Sequence, residues 1–282
     1  MRRAGAKWLW LMVPLLFGLA YLERLESGPA GDWRTASREA VGLAPDPETV
    51  AEPIVQVYAA RAVRWRGYFG VHTWIAVKPR RASRYTVYEV NGWRLMRSGS
   101  AVTVSDRAPD GRWFGSRPDL LAERRGAGVD ELIERIVAAA AAYPYADTYR
   151  VWPGPNSNTF TAFVLRSAGG LRVDLPSTAI GKDYLGAALA ARTPSGTGWQ
   201  VSLFGLLGVL VGAEEGVEVD VLGLTFGIDV AKPSLKLPLA GRVGLSGLSF
   251  EPGDRMQPRG GTTKGAPVKL ATEPSAAWRA LR

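Results

Sequence analysis

The chain has 282 residues, 46% of them hydrophobic, with a formal net charge of +9. Its length and composition predict a globular protein of one large domain or two smaller ones rather than a disordered chain. It contains no cysteine and a single histidine, His72. Disulfides, zinc–thiolate sites, iron–sulfur clusters, a thiol nucleophile and any metal site with two histidine ligands are therefore excluded. We expect no metal ion and no cofactor, because the sequence also lacks a phosphate-binding loop and a dinucleotide-binding glycine motif.

Residues 1–30 have the pattern of a signal peptide or an N-terminal membrane anchor. Basic residues precede an uninterrupted apolar run at 8–22, which is short for a membrane-spanning helix and typical of a signal peptide. Small residues at positions 18 and 20 favour cleavage, whereas Trp8 and Trp10 suit the interface of an uncleaved anchor. Both alternatives predict that the rest of the chain lies on the periplasmic side of the inner membrane, or is exported if the segment is removed.

The positive charge leaves two interpretations open. A basic chain suits contact with nucleic acid or anionic lipid, but its basic residues are scattered, and an arginine excess can also reflect genomic base composition. Because we expect export, we predict no nucleic-acid partner. Anionic lipid headgroups or cell-wall polymer are the partners expected for basic residues interleaved with aromatic ones, as at residues 61–68.

Alternating apolar and polar residues predict four short strands, at 53–60, 70–77, 85–90 and 100–105. Asn91-Gly92 is a tight-turn signal, and the brief connections favour an antiparallel meander. An apolar stripe at helical spacing predicts a helix over 129–142, which Pro144 ends. Residues 31–52 are polar and contain proline, so we interpret them as a linker before a domain at 53–185.

Beyond residue 185 the chain is rich in glycine and alternates again between apolar and polar residues. This pattern predicts a β-rich extension of antiparallel strands over 186–250. Within it, residues 202–212 are too short for a membrane span and predict a strand or a membrane-surface element. Residues 251–282 predict a disordered basic tail. The fold class expected is α+β, an antiparallel sheet packed with helices and followed by the β-rich extension.

The segment WPGPNSNTF, residues 152–160, predicts a turn followed directly by a helix. Ser157 lies at the predicted helix start, where free backbone N–H groups and the helix dipole stabilise a developing anion. A nucleophile uses this position, and so does an ordinary helix cap. Both roles stay open for Ser157.

Four sequence segments resemble an uncharacterised bacterial family, the domain-of-unknown-function family 3750. They are GVHTWIAVKP, YTVYEVNGW, WPGPNSNTF and DLPSTAIGKDY, and the resemblance covers about residues 52–185. The family carries no established activity, so the resemblance implies a domain and no reaction.

A more distant resemblance is to circularly permuted papain-like folds, the permuted NlpC/P60 enzymes and the lecithin:retinol acyltransferase-like proteins. Gly70-Val71-His72 is similar to their histidine strand. Residues 156–160 are similar to the start of their nucleophile helix, with Ser157 where those families have cysteine. The resemblance implies a papain-like core with Ser157 as nucleophile, His72 as base and Glu89 as the residue that orients the imidazole.

Serine needs stronger base assistance than cysteine, so Ser157 marks either a hydroxyl nucleophile or an inactive relative. We expect Asn156, Asn158, Trp74 and Trp152 to contact a ligand in the same cleft.

Three functions follow as hypotheses. The first, which we rank slightly higher, is binding of a cell-envelope ligand, either a lipid or a peptidoglycan fragment, by a non-catalytic relative. The second is an amide or acyl hydrolase or transferase that uses Ser157 and His72. The third is a structural partner in an envelope complex. The sequence does not predict an oligomeric state.

Overall fold

The computed structural model describes residues 35–244. The predicted signal or anchor at 1–30 and the predicted tail at 251–282 lie outside the described residues. Within the described range the protein is α+β, with two antiparallel sheets and helices packed on the first of them. This confirms the fold class expected from the sequence.

The first sheet has five strands in the order β4-β3-β2-β1-β5, and every neighbouring pair is antiparallel. The four predicted strands form its β1–β4 meander. The fifth, β5, was not predicted, because its sequence DLLAERR is charged and largely exposed and lacks an apolar alternation. The strands are β1 (Ile54–Arg61), β2 (Val71–Lys78), β3 (Thr86–Val90), β4 (Val102–Ser105) and β5 (Asp119–Arg125).

Three α-helices and one 3₁₀-helix accompany this sheet. They are the 3₁₀-helix Arg64–Tyr68, α1 (Gly92–Ser98), α2 (Val129–Ala141) and α3 (Ser157–Ala168). The predicted helix at 129–142 is confirmed as α2. The turn predicted at Asn91-Gly92 is wrong, because Asn91 is extended and directly precedes α1, without a hydrogen bond from its side chain to the helix. Gly92 serves close packing, since a Cβ there would lie 2.5 Å from the Tyr149 ring.

Both faces of the first sheet are buried. One face packs against α2 and α3, with Ile75 and Val77 from β2 meeting Leu132 and Phe160. On the opposite face, Trp74 and its neighbours pack beneath Trp113. Because side chains alternate along a strand, Thr73 points to the helices while His72 lies on the opposite face.

The segment predicted as a linker lies against this second face. The Asp110 carboxylate accepts hydrogen bonds from the backbone N–H of Leu43 at 2.6 Å and of Ala44 at 3.2 Å. The fully buried Lys78 ammonium donates to the carbonyl oxygens of Val50 and Glu52 at 2.7 and 2.8 Å. The described part of this segment, residues 35–52, therefore covers the second face.

The second sheet is a seven-stranded antiparallel meander in the order β12 to β6. Its strands are β6 (Ala190–Arg192), β7 (Gly198–Leu203), β8 (Leu207–Gly212), β9 (Gly216–Val221), β10 (Leu224–Asp229), β11 (Ser234–Leu237) and β12 (Gly241–Gly244). An antiparallel sheet with one solvent-exposed face usually packs its apolar side chains against the protein core and exposes its polar side chains to water. Here the sense is reversed: polar and charged side chains are buried on the inner face, and apolar side chains are exposed on the outer face.

Buried ion pairs on the inner face hold the second sheet to the loop after α3. Glu218 accepts from Lys182 and from Lys236, with both N–O distances at 2.6 Å. Lys236 also pairs with Asp174 at 2.7 Å, and Arg242 joins Asp174 to Asp229. Burial alone would raise the pKa of Glu218, but the two lysines outweigh it and lower that pKa.

Removal of one partner from this network leaves buried charges without compensation. We expect Glu218→Ala to lower the free energy of unfolding by about 3–5 kcal/mol, because Lys182 and Lys236 would stay buried without their shared carboxylate. The measurement is urea denaturation followed by circular dichroism. Glu214→Ala is the matched control: Glu214 pairs with the exposed Lys232, and its loss should cost no more than about 1 kcal/mol. Equal losses in the two variants would contradict a structural role for the buried network.

Candidate functional site

A cavity of about 590 Å³ opens beside the first sheet, between the 3₁₀-helix, α1 and the start of α3. Its walls are mainly apolar and aromatic. A few polar residues, among them His72, Asn91 and Ser157, also line it. The cavity lies beside the first residues of β2, which pair with β1 but not with β3, because β3 pairs with β2 only from Ile75 to Val77. It therefore meets side chains from both faces of the sheet.

The pairing register brings His72 and Glu89 together. Ile75 lies opposite Tyr88, so the same register places Glu89 opposite Trp74, on the face that also carries His72. The Nε2 atom of His72 lies 3.0 Å from Oε2 of Glu89. This contact is the one predicted for a carboxylate that orients the imidazole.

Two residues that were not predicted complete the surroundings of this pair. Arg107 donates from Nη2 to Oε2 of Glu89 at 3.2 Å. The Trp113 ring stacks on the imidazole, with 3.7 Å between ring centroids and 8° between planes. Neither residue belongs to a strand or motif that could have indicated its role, since both lie in loops that only the fold brings to His72.

The charge states of the pair follow from burial and from Arg107. Burial lowers the pKa of His72, and the opposing effect of Glu89 does not restore it. Burial alone would raise the pKa of Glu89, but His72 and Arg107 outweigh it and lower that pKa. At neutral pH we therefore assign an ionised Glu89 that accepts a hydrogen bond from the Nε2–H of a neutral His72. The Nδ1 atom is then the unprotonated nitrogen.

Ser157 is the first residue of α3, and Asn156 caps that helix. The side-chain oxygen of Asn156 accepts from the backbone N–H of Asn158 at 2.9 Å and of Thr159 at 3.2 Å. The Thr159 hydroxyl accepts from the backbone N–H of Asn156 at 3.1 Å, which completes a capping box. Among residues 35–244 the Ser157 hydroxyl has no hydrogen-bond partner, so the cap does not use it.

The two predicted ligand-binding asparagines have structural partners. The Nδ2 groups of Asn156 and Asn158 both donate to the carbonyl oxygen of Ile180, at 3.0 and 2.9 Å. Asn158 also donates to the Val71 carbonyl at 3.0 Å and accepts from the Thr73 hydroxyl at 3.0 Å. These contacts fix the start of α3 against β2, although both asparagines border the cavity.

The two predicted ligand-binding tryptophans lie in different places. Trp152 is half exposed at the cavity rim, where its Nε1 donates to the Leu222 carbonyl at 2.8 Å. Trp74 is fully buried, stacks on Tyr58 and donates to the Pro109 carbonyl at 2.8 Å. It does not line the cavity, because it lies deeper under the second face.

The cavity thus brings Ser157 and His72 into one space, with Glu89 directly behind the imidazole. No hydrogen bond joins the Ser157 and His72 side chains within the described part of the chain. Helix α3 packs on one face of the sheet while His72 projects from the other. The two groups therefore approach the cavity around the open edge of β2.

Because His72 is the only histidine, its imidazole gives a single NMR titration curve. We expect a midpoint below the ordinary value of 6.5, since burial disfavours the charged ring. At a pH between the pKa of His72 in the folded chain and its higher pKa in the unfolded chain, the unfolded chain binds more protons than the folded chain. The contribution of His72 to the free energy of unfolding therefore falls as the pH drops through that window.

Glu89→Gln should lower the His72 midpoint further, because it removes the carboxylate that favours the charged ring. Asp130→Asn is the control, since Asp130 lies at the surface with Arg80 and should leave the curve unchanged. A wild-type midpoint at or above 6.5 would contradict the buried, neutral assignment.

Within residues 35–244 no group of three or more histidine, aspartate or glutamate side chains could hold a metal ion. In the same range no helix combines the length and apolarity needed to cross a membrane.

Comparison with known proteins identifies one family. Residues 52–184 match the family model described as "Protein of unknown function (DUF3750)". No curated protein matches the chain, and no solved structure does, so the papain-like resemblance stays a prediction. The stretch 52–184, which matches this family model, contains β1–β5, α1–α3 and the cavity with His72, Glu89 and Ser157.

Proposed function

We propose that the cavity binds the apolar chain of an amphiphilic molecule of the bacterial envelope. The observation that carries this proposal is the character of the cavity walls. Their apolar side chains are exposed to an unusual extent: Trp65 63%, Phe69 36%, Trp93 48%, Met96 92%, Val151 47% and Trp152 52%. Apolar pockets with a few placed polar groups are typical of sites that bind apolar ligands.

Polar atoms among these walls suit a polar headgroup. The Ser157 hydroxyl lies at the positive end of α3, where it can donate to a carbonyl or ester oxygen. The side-chain oxygen of Asn91 is buried and has no hydrogen-bond partner in the part of the chain that the structure describes, so a ligand N–H or O–H would satisfy it. The arrangement suits one end of an amphiphile more than a fully apolar molecule.

The two ligand classes expected from the sequence are not equally supported. A peptidoglycan fragment is polar throughout and needs many hydrogen-bond partners. The amides of Asn156 and Asn158 are already occupied by Val71 and Ile180. A lipid acyl chain suits the aromatic walls better. A position on the periplasmic side of the inner membrane, expected from residues 1–30, would give such a site access to lipids.

A charge placed on an apolar wall should weaken the binding of an acyl chain. We expect Val151→Asp to raise the Kd for lysophosphatidylglycerol by about tenfold or more, because the new carboxylate loses hydration when the chain binds. Titration calorimetry below the critical micelle concentration measures this change. Val137→Asp is the matched control, since Val137 has similar exposure on α2, outside the cavity. Tighter binding of a soluble muropeptide than of the lysolipid would overturn the assignment of ligand class.

A second candidate function is hydrolysis or transfer of an acyl group, favoured by the Glu89–His72 pair. In this reaction the Ser157 oxygen attacks the acyl carbonyl carbon, and its proton passes to Nδ1 of His72. The backbone N–H of Ser157 stabilises the oxyanion, since the N–H groups of Asn158 and Thr159 are occupied by the Asn156 cap. The proton then moves to the leaving group, and water or an acceptor alcohol releases the acyl group from Ser157. The reaction needs the Ser157 hydroxyl and the His72 ring to move into hydrogen-bond contact.

For this second candidate, Ser157→Ala and His72→Asn should each reduce the turnover of a lysophospholipid or p-nitrophenyl ester by about 10²-fold or more. Ser157→Ala should keep the wild-type melting temperature, because the Ser157 hydroxyl takes no part in the helix cap. Ser98→Ala, in α1, is the control. Full turnover in the Ser157→Ala variant would exclude Ser157 as nucleophile and leave binding as the function.

A further inference from the structure

The outer face of the second sheet is a continuous apolar surface. Val209 on β8 lies between Val201 on β7 and Val219 on β9, and Val219 lies opposite Phe226 on β10. The same face continues through Ile228 and across β11 and β12. Its side chains are 40–58% exposed: Trp199, Val201, Leu203, Leu207, Val209, Val211, Val217, Val219, Val221, Phe226, Ile228, Leu235 and Val243. We call this set the outer face.

A surface of this kind marks an interaction site. Monomeric proteins rarely expose a contiguous apolar patch of more than a few hundred Å² unless it binds something. The outer face spans strands β7 to β12, which makes it a surface rather than a groove. The partner must therefore be broad and apolar.

The distribution of charge identifies the partner. The carboxylates of the strands, Glu218, Asp220 and Asp229, all lie on the inner face and are at most 2% exposed. At the edge of the outer face, Arg192 lies exposed with its guanidinium 4.5 Å from the centre of the Trp199 ring. The outer face thus combines apolar side chains with a cation at its edge and keeps acidic groups away. This combination complements a lipid surface that carries negative headgroups.

We propose that the outer face docks on the surface of a bilayer that contains anionic lipids, with its valines and aromatic rings in contact with the acyl-chain boundary. A second copy of the chain is the main rival occupant. The formal net charge of +9 on each copy opposes self-association and favours an anionic surface.

The apolar surface also reaches the cavity. Trp152, at the cavity rim, donates a hydrogen bond to the carbonyl of Leu222, in the hairpin between β9 and β10. Phe204 and Leu222, at neighbouring hairpin tips, are 51% and 60% exposed. Arg66 is exposed at the cavity mouth beside Trp65, where it can meet a headgroup phosphate. Passage of a lipid chain from the bilayer to the cavity rests on the proposed function, whereas docking of the outer face does not.

Spin labels test the docking site directly, because the chain has no native cysteine. Val219→Cys places a nitroxide at the centre of the outer face, and Val137→Cys places the control label on α2, where the valine has a similar exposure of 38%. The full-length chain is mixed with vesicles of equimolar phosphatidylglycerol and phosphatidylcholine. Power-saturation EPR then compares the accessibility of each label to oxygen, which partitions into lipid, with its accessibility to an aqueous nickel chelate.

We expect the label at position 219 to become accessible to oxygen and protected from nickel only when vesicles are present, while the label at position 137 stays aqueous. Pure phosphatidylcholine vesicles should reduce partitioning by about tenfold or more, since each basic residue near an anionic surface contributes to binding. An aqueous label at position 219 on vesicle-bound protein would overturn the proposal. Protection of this label from nickel in the absence of vesicles would also overturn the proposal. Spin–spin broadening would then identify a second copy as the occupant, and a spectrum without broadening would identify another part of the same chain.

A double variant separates docking from ligand binding. Val209→Thr with Val219→Thr keeps the shape of both side chains and adds two hydroxyls to the outer face. We expect it to weaken vesicle partitioning several-fold and to leave the Kd for monomeric lysophosphatidylglycerol unchanged. Unchanged partitioning would contradict docking through the outer face. Val151→Asp should raise the Kd for lysophosphatidylglycerol and leave vesicle partitioning unchanged. Failure of the cavity proposal and failure of the docking proposal therefore give different results.

Discussion

The carbonyl oxygen of Ile180 is the contact on which the candidate site depends. It accepts from the side-chain amides of Asn156 and Asn158, so the loop after α3 is tied to the residues that begin α3. Asn158 extends the connection to β2 through Val71. Two residues after Ile180, the buried Lys182 pairs with Glu218 of the second sheet. Hydrogen bonds to Ile180 therefore hold the helix start that carries Ser157 to the loop after α3. The buried ion pair between Lys182 and Glu218 holds that loop to the second sheet.

This arrangement explains why the second sheet has charged residues inside. A buried ion pair contributes little net stability compared with apolar packing, but its geometry is specific. Glu218 accepts from both Lys182 and Lys236, and Lys236 also contacts Asp174. These contacts fix the position of the loop on the sheet. The apolar residues of the same strands then lie outside, because the side chains of a strand alternate between its two faces.

The surroundings of His72 fix the orientation of a neutral imidazole. Glu89 accepts from its Nε2–H, Arg107 donates to Glu89, Trp113 covers one ring face, and burial keeps the ring neutral. A neutral imidazole with a fixed tautomer suits proton transfer and also suits a hydrogen bond to a ligand. The Ser157 hydroxyl, which has no hydrogen-bond partner among residues 35–244, is compatible with both uses. The second candidate function requires the Ser157 hydroxyl and the His72 ring to come into hydrogen-bond contact around the open edge of β2.

The sequence by itself determined the α+β class, strands β1 to β4, helix α2 and the start of α3, because apolar periodicity and capping residues act over a few neighbouring positions. It also indicated the His72–Glu89 pair, although the contact depends on a register that only the folded sheet decides. The tertiary structure alone brought Arg107 and Trp113 to His72, buried Trp74 away from the cavity and assigned the helix cap to Asn156. It also decided which face of the second sheet is apolar and exposed. Alternation predicts that a strand has two different faces, but the direction each face points is set by the partner it packs against, here the charged loop around Lys182.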